Sequence, residues 1–214
     1  MKKTNSHIKY INENFPELVI RKPLFYNWDI SLRFDLQKEF KNPVAPTDDE
    51  YFEEVYLRAE TLFEFCFESS DTEIIICVQQ YQLEGNEIED ENYIFNQIKD
   101  FDKTLIERDQ VKKIYEPDDE DDIWNRATYQ TQLKKMNTKN LIRGICHTDF
   151  PDRKPYIEEE IYFINKSKNI IFHIYDDRGL DILMTNKSKL KILLEKHNDL
   201  ILEYDRELIL NRVN

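Results

Sequence analysis

Asp176-Asp177-Arg178-Gly179, with Asp181 just beyond, gathers three carboxylates and one guanidinium into six residues. Carboxylates grouped at a strand end are what a magnesium-dependent nuclease or phosphatase uses, because hard divalent cations prefer oxygen ligands. Arg178 offers the opposite use, since a planar guanidinium can neutralise a neighbouring carboxylate in a fork-shaped pair. Asp-Arg-Gly is also ordinary turn chemistry. The cluster stands open between an ion-paired turn, a protein-recognition loop and a metal-dependent hydrolase using Asp176, Asp177 and Asp181 with His173 nearby. His173 alternates with Ile171 and Tyr175 on one strand face, as either a tuned general base or a hydrogen-bonded core residue. His147 and Asp149 form a similar pair, for which capping or loop hydrogen bonding is the simpler role.

Other chemistries lack their residues. Three glycines, at 85, 144 and 179, are too few and too far apart for a dinucleotide fingerprint or a P-loop. No serine sits in a nucleophile elbow. His7, His147, His173 and His197 are scattered, with no cysteine at metal-ligand spacing. Cys66, Cys77 and Cys146 lie among apolar neighbours and read as buried free thiols of a reducing cytosol. No cofactor is expected.

The net charge of -13 over 214 residues argues against a nucleic-acid partner and against an anionic membrane surface. It favours solubility or a basic protein partner drawn in by long-range attraction. The excess is concentrated: residues 84–122 carry 15 acids against five bases, and Glu116-Pro-Asp-Asp-Glu-Asp-Asp122 is nearly pure acid. That run lacks the alternating ligands and central glycine of a calcium loop, so a solvated acidic loop is expected. The segment is expected to leave the compact body, part helical along Ile94, Phe95, Ile98 and Phe101 and part mobile. The N-terminus has no apolar signal core, and no apolar run approaches the roughly 18 residues a membrane span needs. A cytoplasmic location is expected; the oligomeric state is left open.

The elements that must position these groups follow from periodicity. Ile170 to Tyr175 is apolar on both parities, the mark of a strand buried on both faces, and is expected at the centre of a sheet. It pairs in a hairpin with Ile161–Asn165, and Leu180–Met184 returns as a short strand. Trp28 to Leu36 alternates, with Trp28, Ile30, Leu32, Phe34 and Leu36 inward and Asp29, Ser31, Arg33 and Asp35 outward. Glu73–Tyr81 is a further strand, and Tyr129, Thr131 and Leu133 alternate as one would. Thr47 and Glu50 have capping-box spacing before a helix striped by Phe52, Val55, Tyr56, Ala59, Leu62, Phe63 and Cys66. Short helices are read from Ile8, Ile11 and Phe15 and after Thr138. One long terminal helix is read from Thr185 or Asn186 through Leu190, Leu193, Leu194, His197, Ile201, Tyr204 and Leu208.

Several segments together resemble an uncharacterised bacterial family, domain of unknown function 3885. They are Pro23-Leu-Phe-Tyr-Asn-Trp-Asp-Ile30 with Arg33-Phe34, Tyr51-Phe-Glu-Glu-Val-Tyr56 with Arg58-Ala59, and Cys146 to Phe150. Glu160-Ile-Tyr-Phe-Ile-Asn165, Phe172-His-Ile-Tyr-Asp-Asp-Arg-Gly-Leu-Asp-Ile182 and Glu203-Tyr-Asp-Arg206 complete them. The resemblance implies one domain and brings no catalytic residues with it. The expected fold is α+β, a mostly antiparallel sheet with helices packed on it, one domain over residues 1–214 with an acidic insertion-like segment at 84–122. The expected function is a non-enzymatic binding protein for a basic partner, such as an immunity protein or antitoxin. Its contacts would be Asp29, Asp118, Asp119, Asp121, Asp176, Asp177 and Arg178, with Trp28 as an aromatic anchor.

Overall fold

The computed structural model describes residues 5–37, 40, 45, 47–83, 85 and 87–213. Along the chain run α1 (Ser6–Asn14), β1 (Ser31–Asp35), α2 (Asp49–Cys66), β2 (Glu73–Tyr81) and α3 (Tyr93–Asn96). β3 (Glu107–Lys112), β4 (Ile123–Gln132), α4 (Thr138–Cys146), β5 (Glu160–Asn165) and β6 (Ile170–Ile174) come next. β7 (Gly179–Met184), α5 (Lys187–Lys196) and α6 (Arg206–Val213) close it. The strands pair antiparallel in the order β1-β7-β6-β5-β2-β4-β3, so helices and sheet make one α+β domain. No helix among the described residues is long and apolar enough to cross a membrane.

The two faces of the sheet divide the core. One carries Leu32, Phe34, Ile76, Val78, Phe163, Phe172 and Ile182, covered by the α2 stripe and by Leu141, Ile142 and Ile145 of α4. The other carries Ile75, Cys77, Tyr162, Ile164, Ile171 and Leu183, covered by Ile11 and Phe15 of α1 with Leu18, Ile20 and Leu24. Burial on both faces is why β5, β6 and β7 show no polar alternation. β6 is interior, with β5 and β7 on its flanks, and the middle strand of the seven is β5.

Four local expectations are corrected. The first strand begins at Ser31 and not at Trp28, because the Ser31 hydroxyl donates to the carbonyls of Phe25 and Trp28 and bends the chain there. The cap of α2 is Asp48, whose carboxylate accepts from the Tyr51 amide at 3.1 Å, and not Thr47. Asn137, not Thr138, caps α4, accepting from the Asn140 amide. The long terminal helix is two, α5 and α6, separated by 3-10 turns at 198–200 and 203–205; Ile201 between them bridges to Phe34. Within 84–122, much of the expected excursion belongs to the body: Ile88, Ile94, Phe95 and Ile98 enter the main core, and β3 forms one edge of the sheet. The β3–β4 connection carries the longest run of exposed acids, and Glu87, Glu89, Glu91, Asp100 and Asp102 are exposed as well.

Candidate functional site

The β6–β7 connection that holds Asp176, Asp177 and Arg178 joins two polar knots, one on each side of the sheet. On the α2 side the Tyr51 hydroxyl donates to Asp177 Oδ2 at 2.5 Å. Asp176 accepts from the Arg178 amide at 2.8 Å and from its guanidinium at 3.1 Å, and Arg178 reaches on to Asp149 at 3.0 Å. Burial holds the Asp177 carboxyl above its ordinary range, while the Tyr51 hydroxyl partly offsets this. His147 Nδ1 faces the Pro155 carbonyl, which only accepts, so Nε2 is left to take the Tyr56 hydroxyl. His147 and Asp149 are therefore not partners of each other.

On the α1 side, Arg33, Asp181 and His173 stand in one cross-strand row of β1, β7 and β6. Arg33 lies 3.3 Å from Asp181, 3.2 Å from Asp205 and 3.0 Å from the Tyr175 hydroxyl. The Tyr26 hydroxyl donates to Asp205, and the Phe25 amide donates to Asp181 at 2.9 Å. Burial pushes the Asp181 carboxyl up to about 6, against the pull of Arg33, the Phe25 amide and the Tyr175 hydroxyl. Gly179 is needed here because a Cβ would lie 2.7 Å from the Phe34 carbonyl of β1. His173 is buried and stacked on Tyr162 at 4.1 Å, with its imidazole driven down to about 3 by burial. So weak a base is in its neutral form at neutral pH and has no drive to abstract a proton.

Asp176, Asp177 and Asp181 thus point to three separate partners and do not converge. No group of three or more His, Cys, Asp or Glu among the described residues is placed to hold a metal ion. Burial pushes the thiols of Cys66, Cys77 and Cys146 upward, Cys77 to about 12, so none is an activated nucleophile. Trp28 is also committed. Its indole donates to the Met184 carbonyl at 2.8 Å and its ring packs on Phe15. The expected anchor is structural for that reason. Asp29 is 96% exposed in its side chain, with Arg212 3.9 Å away.

The acidic turn is different. Asp122 is buried beneath it and acts as a clasp, accepting from the amides of Tyr115 at 2.8 Å and Glu116 at 2.9 Å and from the Trp124 indole at 2.7 Å. Burial opposes ionisation of Asp122, but these donors outweigh it and hold its carboxyl below the ordinary range. Asp119 accepts from the Asp121 amide, and the Asp119 amide reaches the Glu116 carbonyl. Lys113 pairs with Glu120, whereas Glu116, Asp118, Asp119 and Asp121 are exposed and make no ion pair among the described residues. Tyr81, Trp124 and Val111 stand in one cross-strand row below the turn, with the Tyr81 ring 5.7 Å and the Tyr115 ring 4.9 Å from Trp124. Leu83 beside them is 62% exposed and Tyr81 38%. Aromatic side chains partly open to solvent thus lie beside a group of exposed carboxylates.

Sequence reading missed the aromatic row at Trp124, Asp122 as the clasp, and the Arg33–Asp205 link. The position of Trp124, two residues past the acidic run, was the available signal for the first.

Fold and site together define a single α+β domain whose polar motifs are mostly bound internally and whose β3–β4 turn groups four exposed acids that make no ion pair among the described residues. The chain belongs to the family described as Domain of unknown function (DUF3885), which matches residues 8–205. It is similar to the Uncharacterized protein YnaE of Bacillus subtilis (strain 168), 23% identical over 215 residues, 92% of this chain and 97% of that protein. No solved structure matches it.

Proposed function

We propose that this is a non-enzymatic cytoplasmic binding protein that neutralises a basic protein partner, as an immunity protein or antitoxin occludes a toxin domain. The observation that carries the reading is the clasped turn, where the backbone groups Glu116, Asp118, Asp119 and Asp121 together and none of the four makes an ion pair among the described residues. Holding like charges together opposes folding, and a cationic partner relieves that repulsion. Tyr81, Leu83 and Trp124 supply apolar contact within reach of the charge. The expected contacts around Asp176, Asp177 and Arg178 take no part in this reading, since Tyr51 and Asp149 already occupy them. The test is affinity capture from the native host with the wild-type chain and with E116Q/D118N/D119N/D121N in parallel. A basic protein retained one-to-one by the wild type, and lost with the variant or in high salt, is the expected result. Equal retention by both refutes the reading.

A further inference from the structure

Two polar side chains on the α1 side of the sheet bury atoms that have no hydrogen-bond partner among the described residues. Gln79 is 0% exposed and neither end of its amide is matched; His173 is 1% exposed and its Nε2 is unmatched. Native interiors rarely leave such groups alone, so each points to something it is built to meet. They lie on neighbouring ground. Gln79 of β2 is the cross-strand partner of Glu160 of β5, and Tyr162, two residues along β5 from Glu160, stacks on His173 of β6.

Most of the uncommitted atoms of the stretch accept hydrogen bonds, the Gln79 amide nitrogen excepted. His173 Nδ1 is 2.8 Å from the Ile161 carbonyl, which only accepts, so Nδ1 carries the hydrogen and Nε2 presents a lone pair. Glu160 brings a carboxylate, taking the Tyr115 hydroxyl at 2.8 Å and the Tyr162 hydroxyl at 2.7 Å. Gln79 adds an amide oxygen. Of the cations nearby, Arg126, the cross-strand neighbour of Gln79 on β4, is held by Asp109, and Arg33, in the row of His173, is held by Asp181 and Asp205. The Lys22 ammonium lies at the rim, 3.6 Å from Glu160 and half-exposed. Tyr115, which closes the stretch, comes from the acidic hairpin turn and accepts the Lys22 amide at 2.8 Å, while Arg21 donates to the Ile114 carbonyl at 2.5 Å. The cover is thus part of the surface already assigned to the partner.

We propose that Gln79, Glu160 and His173 form a binding site for a cationic hydrogen-bond donor, an alkylammonium or guanidinium group, admitted when Tyr115 and Lys22 move aside. The site deepens the proposed function and rests on it only for the source of the group, a lysine or arginine side chain of the partner. A free polyamine has the same chemistry, and the test separates the two.

The wild-type chain is titrated with agmatine and, separately, with acetyl-Gly-Arg-Gly-amide, following the Gln79 side-chain amide and the His173 ring nitrogens by NMR. Both probes should give saturable displacements at both residues, and Q79M should weaken each at least tenfold while unfolding no earlier than wild type. Binding of agmatine alone assigns the site to free amines and overturns the side-chain source. No saturable displacement with either probe, or equal affinity in Q79M, overturns the site. Y115F, which loses the hydroxyl contacts of the cover, should bind agmatine several-fold more tightly; unchanged or weaker binding counts against the gate. The acidic-turn variant keeps Gln79, Glu160 and His173. If capture of the partner fails while agmatine still binds wild type, the site stands without the surface reading; agmatine silent while capture persists leaves the reverse.

Discussion

Replacing Asp181 with asparagine should change how the stability of the fold depends on pH. The carboxyl is fully buried and is pushed from its ordinary 3.8 up to about 6, burial outweighing Arg33, the Phe25 amide and the Tyr175 hydroxyl, with Asp205 adding to the rise. Between those two values the folded chain keeps a proton that the unfolded chain has lost. The contribution of this group is therefore fully present below 3.8 and is lost as pH rises through about 6. At 1.36 kcal/mol per pH unit the displacement amounts to about 3 kcal/mol. Asparagine mimics the neutral form and retains an oxygen for the Phe25 amide, which now donates at 2.9 Å. Urea unfolding of both proteins from about pH 4 to about pH 7 measures the difference directly. The free-energy gap should move in favour of D181N by about 3 kcal/mol as pH rises. Parallel profiles would refute the argument, and a gap moving the other way would mean that Arg33 dominates over burial.

Three further outcomes follow from single side chains. Y51F leaves the buried Asp177 carboxylate without its hydroxyl donor and should lower stability by about 1.5–3 kcal/mol by urea unfolding. D122A should cost about as much and, more tellingly, should abolish amide-exchange protection at Tyr115 and Glu116 while leaving β5 and β6 protected. Cys66, Cys77 and Cys146 are buried, with thiols held high by burial, so a disulfide reagent should find no reactive thiol in the native protein and three after denaturation.

What could be read ahead of the structure was whatever one chain segment fixes by itself. The both-parity apolar run at Ile170–Tyr175 gives a strand buried on two faces, and the apolar stripe from Phe52 to Cys66 gives α2. Glu73–Tyr81 has the same ends in sequence and structure. What could not be read depends on pairing between distant segments. Arg33 meets Asp181 only because β1 is added beside β7, and no local pattern encodes that neighbour. The same pairing turns Asp176, Asp177 and Asp181 from a cluster in sequence into three groups with separate partners. Trp28 was misplaced because alternation continues through Ile30 although the Ser31 hydroxyl has already bent the backbone. The acidic run was legible as charge, but its anchoring was not, since that comes from hydrogen bonds to Asp122 at its end.

The most direct measurement is zero-length carbodiimide cross-linking in a lysate of the native host, with cross-linked carboxylates located by mass spectrometry. Glu116, Asp118, Asp119 and Asp121 should carry the joins to lysines of one basic protein, and Asp122→Ala should scatter or abolish them. Joins spread evenly over exposed acids elsewhere, such as Glu13, Glu64 and Glu195, would contradict the account.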